Sequence, residues 1–367
     1  MFEQSYISFV PGPTQINSHT LQAMSHQIET HLHEDWRHCY LDTCEKMKQV
    51  FMTKGEVFLM VSSGTGGMES AISSIADPGE KILILSNGLF GDRIEDIAKA
   101  YHIETEVLRF PTDKQIDPSL LRERLEKGPK DIAAVGVAYS ESQNGILNPV
   151  KELSAICNEF NVPIIVDTVS ALGGVAYKMD EWGIDISICA TQKCLGGPVG
   201  MAMVAVNDKS WKYFEGKKGT GFYFNLNLWR DAVHNNPIHP HPWSMSETMI
   251  FGLNTALSIL LSEGLEKSWE RHKALYLYYK NELETMGFSM FAPQYCACPT
   301  VISVNRHSRI SVDDLKKRLK ENYEILIGVG IYQQTGKIWR IGNMGEQARQ
   351  DRAKKLITAI QDILDND

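Results

Sequence analysis

Three short segments carry residue types that could perform chemistry together. The first contains Ser63-Gly64-Thr65-Gly66-Gly67, which lies between an apolar run and a helical pattern. The second contains Asp167 at the end of a continuous apolar run, and the third contains Lys193 just after another such run. The residue types suggest a site for an anion, an acid and an amine that could act as a nucleophile.

Small residues before a helix suit an anion, because the backbone can approach the ligand and the helix N-terminus presents free N–H groups. The segment Ser63–Gly67 has neither the GxGxxG pattern of a dinucleotide site nor the GK[ST] of a P-loop. A tight turn between a strand and a helix is the competing interpretation.

Asp167 and Lys193 are predicted at the carboxyl ends of strands, the sheet edge where open α/β sheets bind ligands. A carboxylate there is costly unless a cation pairs with it, and a protonated ring nitrogen would serve. A lysine in a dry pocket loses its proton more readily and becomes nucleophilic. Taken singly, Asp167 could be a helix cap or ion-pair partner, and Lys193 a surface residue.

The combination is more informative than its parts. A cofactor with a phosphate, a basic ring nitrogen and an aldehyde requires an anion cradle, an acid and an amine. Pyridoxal phosphate is such a cofactor, and its protein partners are a lysine and an acid at the ring nitrogen. We therefore expect pyridoxal phosphate to bind here.

The elements that must position these residues form an alternating pattern between Val57 and Val206. Apolar runs alternate with stretches of helical spacing, which indicates an α/β fold with a mainly parallel sheet covered on both faces. The predicted strands are Val57–Val61, Lys81–Leu85, Ile132–Ala138, Val162–Val166, Ile184–Cys189 and Met201–Val206. The predicted helices are Glu69–Ala76, Asp92–Ala100, Ser119–Glu126 and Val150–Glu159.

Beyond Val206 the pattern changes. Phe222–Pro242 is rich in aromatic residues and proline and is predicted to be a loop, and two long helices follow at Thr248–Leu261 and Leu265–Met286. The pattern from about Pro299 onward is typical of a smaller α+β unit. We predict an N-terminal segment at 1–14, a large domain at 15–262 and a small domain at 263–367.

Composition restricts the class of protein. The 367 residues are 43% hydrophobic and carry a net charge of −8, which is typical of a globular protein and argues against a broad nucleic-acid surface. No apolar run reaches the length of a membrane span, and no secretory signal is visible. Seven cysteines, an odd number, suggest reduced thiols and hence a cytoplasmic protein. From the net charge and the lack of a long apolar run, we expect no nucleic-acid or membrane partner.

We expect no metal site, since His31-Leu32-His33-Glu34 lacks the spacing of known zinc motifs.

The sequence resembles the class V aminotransferases, which are pyridoxal-phosphate enzymes of fold type I. The likeness covers nearly the whole chain. The segments that carry it are Pro11–Thr14, Ser63–Glu69, Asn87–Arg93, Glu141–Gly145, Asp167–Gly174, Gln192–Gly200 and Arg340–Gly345. It implies a large domain with a seven-stranded, mainly parallel sheet between helices and a smaller C-terminal α+β domain.

The resemblance also implies roles for single residues at the cofactor. Lys193 would form the Schiff base and Asp167 would pair with the ring nitrogen. The positions implied to bind phosphate are Ser63, Gly64, Thr65 and Gln192. Three more positions are Phe90, which would stack on the ring, Ser142, which would lie near the ring oxygen, and Ser244, which would reach the phosphate from a second subunit.

At the substrate, the resemblance implies that Arg340 binds the carboxylate, for which a planar guanidinium is well suited. Gly12 would lie in a turn beside the substrate. The implied enzyme is a homodimer with its site at the subunit boundary. It would transfer an amino group from a small amino donor to a 2-oxo acid, glyoxylate or pyruvate, in a ping-pong reaction.

Three other functions stay open at this point. A pyridoxal-phosphate β-lyase or cysteine desulfurase would use Cys296 or Cys298 as a nucleophile, although Gln192 stands where desulfurases usually carry histidine. A nicotinamide-dependent dehydrogenase would use the glycine turn at Gly64–Gly67, without the usual fingerprint. A catalytically inactive relative would act as a binding or regulatory module.

Overall fold

The computed structural model describes residues 6–27, 30, 32–236 and 239–366. His31 of the discounted metal motif lies outside them. The strands are β1 Ile7–Phe9, β2 Glu56–Val61, β3 Lys81–Ser86, β4 Glu104–Arg109, β5 Ile132–Ala138, β6 Ser140–Glu141, β7 Ile146–Leu147, β8 Ile164–Asp167, β9 Ile186–Ala190, β10 Met201–Val206, β11 Val301–Asn305, β12 Ile325–Val329 and β13 Ile338–Gly342. The helices are α1 Ser18–Met24, α2 Glu34–Phe51, α3 Gly64–Ile75, α4 Leu89–Ala100, α5 Pro118–Lys127, α6 Val150–Glu159, α7 Leu226–Asn235, α8 Glu247–Glu263, α9 Leu265–Thr285, α10 Val312–Tyr323 and α11 Gln350–Asp365.

A seven-stranded sheet forms the centre of the larger body, in the order β2-β10-β9-β8-β5-β3-β4. Only β10 runs against its neighbours, β2 and β9, so the sheet is mainly parallel, as predicted. Every residue of β8, β9 and β10 is buried, which is typical of strands covered by helices on both faces. The carboxyl ends of β2, β8 and β9 consequently meet at one edge.

Helix α3 packs closely on this sheet because glycine lies at its contact points. A Cβ atom at Gly67 would lie 2.8 Å from Ile188 Cγ2 and 3.1 Å from Ala202 Cβ. A Cβ atom at Gly64 would lie 2.8 Å from Val169 Cγ2. The glycines of this segment therefore let the helix start directly against the strand ends.

A second, four-stranded sheet has the order β1-β12-β13-β11, and β1 pairs in parallel with β12. The N-terminal strand thus joins a sheet made otherwise of C-terminal residues, and Phe9 is buried in its apolar core. Helix α8 ends at Glu263 and α9 begins at Leu265. The division of the chain into segments at residues 14 and 262 stays a prediction.

The structure corrects the prediction of one loop and contains several elements that the sequence did not predict. The segment Phe222–Pro242 contains helix α7, because Asn225 caps it and Leu226 and Trp229 are buried in the main core. Two helices, α1 and α2, and four strands, β1, β4, β6 and β7, were not predicted. Strand β4 lies at the edge of the sheet, and all its residues are at least partly exposed. An exposed strand does not need a continuous apolar run, and β4 has none. The other predicted helices and strands are present, with ends that differ by a few residues.

Among the described residues, no single helix combines the length and apolar character needed to cross a membrane. Helices α8 and α9 pass such a test only as a pair, bent by 83° at the break between them.

Candidate active site

The carboxyl edge of the large sheet brings two of the predicted residues onto neighbouring strands. Asp167 is the last residue of β8, and it is paired with Ile188 of β9. Strand β9 ends at Ala190, three residues before Lys193. Adjacent parallel strands therefore deliver the acid and the amine to one place, as the sequence predicted.

Only one of the two carboxylate oxygens of Asp167 accepts a hydrogen bond from the described residues. The side chain is 7% exposed, and its Oδ1 accepts a hydrogen bond from the Val169 N–H at 2.8 Å. Its Oδ2 makes no hydrogen bond to the described residues. Burial raises the pKa of Asp167 to about 6, against the opposing effects of the Val169 N–H and the cations Lys193 and Arg93. Such an oxygen suits a protonated ring nitrogen.

The Lys193 side chain is half-buried against the N-terminal segment. Its amine donates a hydrogen bond to the carbonyl oxygen of Pro11. Burial is the main cause that lowers the pKa of Lys193 to about 8, and the positive charge of Arg340 also lowers it. An appreciable fraction of this amine is consequently unprotonated near neutral pH.

Gly12 explains how the N-terminal segment approaches so closely. Its φ is +81°, and a Cβ atom there would lie 2.5–2.7 Å from the last three atoms of the Lys193 side chain. Thr14 holds the same segment in place through its N–H, which donates to the Gln192 carbonyl at 3.0 Å. Gly12 is therefore next to the Lys193 amine. Its predicted place beside the substrate stays a prediction.

The first turn of α3 is available to bind an anion. Ser63 occupies the N-cap position with an exposed side chain, and it makes no capping hydrogen bond to the helix. Thr65 is partly exposed, and its hydroxyl accepts a hydrogen bond from Arg93 Nη1 at 3.4 Å. Free N–H groups, two hydroxyl side chains and a nearby cation together suit a phosphate.

Phe90 and Arg93 lie together on the first turn of α4. The Arg93 guanidinium lies 4.8 Å from the centroid of the Phe90 ring, and its charge lowers the pKa of Asp167. Arg93 was not assigned a role from the sequence. Its position three residues after Phe90, on the same helical face, was the signal that could have found it.

Arg340 lies on β13 of the second sheet, yet it reaches the same site. It is 8% exposed, and its Nε and Nη1 donate to the carbonyl oxygens of Val329 at 3.0 Å and Ser142 at 2.7 Å. Its Nη2 has no hydrogen bond to the described residues. Burial lowers the pKa of Arg340 to about 10, so it remains a cation at neutral pH. A free nitrogen on an oriented guanidinium suits a carboxylate.

Two further predicted residues lie between these groups. Ser142 is buried, and its hydroxyl donates to the Ser170 hydroxyl at 2.5 Å. Gln192 is half-buried directly before Lys193, and its side-chain oxygen accepts a weak hydrogen bond from Thr191. Their roles as cofactor ligands stay predictions.

Ser244 is the one predicted residue that the structure does not bring to the site within this chain. Its side chain is exposed, and it has no hydrogen bond to the other site residues. Its assignment to the site of a second subunit stays a prediction.

The residues present fit pyridoxal phosphate. The uncapped start of α3 would hold the phosphate, the free oxygen of Asp167 would hold the ring nitrogen, and Lys193 would bond to the aldehyde carbon. The Ser63 hydroxyl and the Asp167 Oδ2 have no hydrogen-bond partner among the described residues, and the Lys193 amine has one, the Pro11 carbonyl.

Comparison with known proteins points to one family. The family model described as aminotransferase class V matches residues 9–332. An uncharacterized aminotransferase of Methanocaldococcus jannaschii is 35% identical, over 92% of this chain and 87% of that protein. The serine–glyoxylate aminotransferase of Methylorubrum extorquens is 29% identical, over 98% and 91% of the two chains. The crystal structure of ureidoglycine–glyoxylate aminotransferase from Bacillus subtilis superimposes with a TM-score of 0.94 at 26% identity, covering 100% of this chain and 94% of that one.

The lowered pKa of Lys193 predicts the pH dependence of its modification. Only the unprotonated amine attacks an aldehyde, so the rate of attachment of pyridoxal phosphate should rise with pH around a midpoint near 8 instead of near 10.5. Borohydride reduction followed by peptide mapping measures the modified fraction at Lys193.

The matched control is Lys193→Ala, which should remove the label from the peptide that contains residue 193. Lys178 serves as an internal reference, since its pairing with Glu181 raises its pKa. Labelling mainly at another lysine would contradict the assignment of Lys193.

Proposed function

The chain belongs to the class V aminotransferase family, and on this basis we propose that it transfers an amino group from a small amino donor to glyoxylate or pyruvate. The reaction would proceed in two alternating half-reactions. The observation that carries this proposal is that the charges of Asp167 and Arg340 both act on the Lys193 amine, and that each of the three residues keeps a group that no described residue satisfies fully.

The enzyme depends on pyridoxal phosphate. When bound, this cofactor supplies an aldehyde that captures amines and a ring that withdraws electrons from the adjacent carbon. The contribution of Asp167 is to keep a proton on the ring nitrogen. With a pKa near 6 in its buried position, Asp167 is largely ionised at neutral pH and can hold that proton by charge.

Lys193 is the group placed to move protons at the substrate. With a pKa near 8, its Nζ can accept the α-proton of the donor and return a proton in the same turnover. Gly12 and the Pro11 carbonyl enclose this atom, which limits the access of water from that side. A base with a pKa near the working pH is suited to both directions of transfer.

Arg340 would bind and orient the carboxylate of the substrate. Two of its nitrogens are fixed by main-chain oxygens on two different elements, so its orientation is set before the substrate arrives. Its charge also helps to lower the pKa of Lys193, which places the two cations near each other. A small 2-oxo acid would thus be held with its carboxylate at Arg340 and its carbonyl carbon toward Lys193.

The names of two similar proteins suggest which 2-oxo acid accepts the amino group. The M. extorquens and B. subtilis proteins are both named as glyoxylate aminotransferases, with serine and ureidoglycine as their respective donors. The acceptor is shared by these relatives while the donor differs. We therefore propose glyoxylate as the first acceptor to test, with pyruvate second.

A homodimer is part of the proposal. Val61 is 38% exposed at the end of β2, beside the phosphate cradle, and Phe222 is 70% exposed in a cluster with Trp243. Exposed apolar side chains next to a site favour coverage by another subunit. Ser244 follows Trp243 directly, so the same covered surface would bring it toward a partner's cradle. We place the dimer in the cytoplasm, in keeping with seven free thiols.

The structure gives little support to the other functions. Cys296 is 3% exposed with its pKa raised by burial, and the Cys298 thiol is buried in contact with the hydroxyls of Ser140 and Thr300. A desulfurase nucleophile must be an accessible thiolate. The turn at Gly64–Gly67 lacks the GxGxxG pattern of a dinucleotide site, which argues against a nicotinamide-dependent dehydrogenase.

A direct assay tests the proposed function. The protein loaded with pyridoxal phosphate should form glycine from glyoxylate when given alanine, serine, 2-aminoethylphosphonate, ureidoglycine or pyridoxamine as donor. Glycine is measured by chromatography, with Lys193→Ala as the inactive control. Release of sulfide from cysteine without glycine formation from any donor would overturn the proposal in favour of the desulfurase.

The role of Arg340 predicts a selective defect. Arg340→Lys retains a positive charge but loses the planar fork, and loss of one charge-assisted hydrogen bond should raise KM for the 2-oxo acid by about 10- to 100-fold. Steady-state kinetics with the acceptor varied gives KM and kcat separately. An unchanged KM in a folded variant would remove the carboxylate role from Arg340.

The dimer predicts a change of mass on loss of the exposed apolar surface. Phe222→Asp should shift the protein toward monomer and reduce activity in parallel, because a charge on the covered surface must be desolvated. Sedimentation equilibrium measures the mass. Leu120→Asp, at an exposed leucine on α5, is the control. A wild-type monomer with full activity would contradict the dimer.

A further inference from the structure

Glu141 is a buried carboxylate for which neither the sequence analysis nor the proposed reaction provides a role. It is 0% exposed at the end of the short strand β6. Burial raises its pKa to about 7. Because burying a carboxylate is costly, its presence here requires specific partners.

The partners of Glu141 are main-chain N–H groups, mainly at the start of α4. Its Oε2 accepts from Phe90 at 2.9 Å and from Gly91 at 3.3 Å, and its Oε1 accepts from Gln143 at 3.0 Å. The N-cap residue of α4 is Gly88, which has no side chain to cap the helix. Glu141 thus acts as the N-cap of α4 from a distant part of the chain.

The glycine at position 88 makes room for this contact. A Cβ atom at Gly88 would lie 2.6 Å from Glu141 Cγ and 2.7 Å from Glu141 Cδ. The missing local cap and the distant carboxylate are therefore parts of one arrangement.

The neighbours of Glu141 secure the same turn. Gln143 Oε1 accepts from the Leu89 N–H at 3.0 Å, and Asn144 Nδ2 donates to the Asn87 carbonyl at 3.0 Å. The loop after β6 consequently fixes the main chain from Asn87 to Gly91. Phe90 lies in the middle of this stretch.

We propose that Glu141 is a positioning residue that fixes the Phe90 ring for contact with pyridoxal phosphate by capping the first turn of α4. The proposal rests on the proposed function, in which Phe90 stacks on the cofactor. Glu141 itself need not touch cofactor or substrate. It sets the main chain at Phe90, and an aromatic ring can clamp a flat ligand tightly only when its orientation is fixed in advance.

Substitution by glutamine removes the contact with the Gln143 N–H in one orientation of the amide and the contacts with the Phe90 and Gly91 N–H groups in the other. The three groups that hydrogen-bond to the Glu141 carboxylate are all N–H donors, so the –NH₂ of glutamine would meet a donor at either of its two positions. We expect Glu141→Gln to weaken the binding of pyridoxal phosphate to the cofactor-free protein by about tenfold, the effect of losing one hydrogen bond. Equilibrium dialysis measures the affinity.

A second readout reports on the ring itself. A clamped cofactor in a fixed asymmetric site gives visible circular dichroism, and this signal per bound cofactor should fall in Glu141→Gln. Glu95→Gln is the matched control, because Glu95 lies on the same helix but pairs with Lys99 and Arg109 on its surface. The control should change neither affinity nor dichroism.

A double-mutant cycle distinguishes positioning from general support of the fold. If Glu141 acts through the Phe90 ring, Glu141→Gln should weaken binding much less in a Phe90→Leu background than in the wild type. Multiplicative losses in the double variant would overturn the proposal. So would unchanged affinity and dichroism in a folded Glu141→Gln protein.

Glu141→Asp keeps the test valid if the glutamine variant does not fold. Its carboxylate is one methylene shorter and cannot reach the N–H groups of both Phe90 and Gln143 in the same way, so a loss of affinity and dichroism is again expected. Unchanged binding by a folded Glu141→Asp protein would also overturn the proposal. Amine transfer by the wild type is measured separately: binding without transfer contradicts the proposed function and leaves the role of Glu141 standing.

Discussion

The site depends on ionisable groups held in a buried position without complete partners. Asp167, Lys193 and Arg340 are each removed from water, which raises the pKa of the acid and lowers the pKa of both bases. Burial of this kind opposes folding, because charged groups lose hydration that the protein returns only in part. Packing elsewhere in the fold has to offset this free-energy cost of burying charged groups. It does so with a sheet whose central strands are buried on both faces, and the ligands that complete the site should stabilise the folded protein further.

Two structural bodies meet at these groups, and main-chain contacts join them. The N-terminal strand β1 belongs to the second sheet, while the turn that follows it brings Gly12 and the Pro11 carbonyl to Lys193 of the first body. Arg340 makes the connection in the opposite direction, from β13 to the Ser142 carbonyl. A shift of one body against the other would therefore change the surroundings of the Lys193 amine and of the Arg340 guanidinium together.

Much of the architecture was predictable from local patterns. The central strands are continuous apolar runs, and the glycine-rich turn and the positions of Asp167 and Lys193 at strand ends followed from those runs. The apolar patterns did not predict elements that are only partly buried, or that are buried by contacts with distant parts of the chain. Strand β4 is a partly exposed edge strand without an apolar run, and α7 is stabilised by burial of Leu226 and Trp229 within a segment whose composition suggested a loop. Tertiary contacts decided both cases.

The sequence by itself determined the cofactor class, because the types and order of the small residues, the acid and the amine admit few ligands. Only the tertiary structure decided which further residues take part. Arg93 reaches Thr65 from another helix, and Glu141 caps a helix that begins more than forty residues earlier in the chain. No local pattern marks Glu141, since its contacts arise from the atoms that folding places around it. The physical reason is that hydrogen bonds and charges act through space at a few ångströms, whereas sequence spacing reports only on neighbours along a helix or strand.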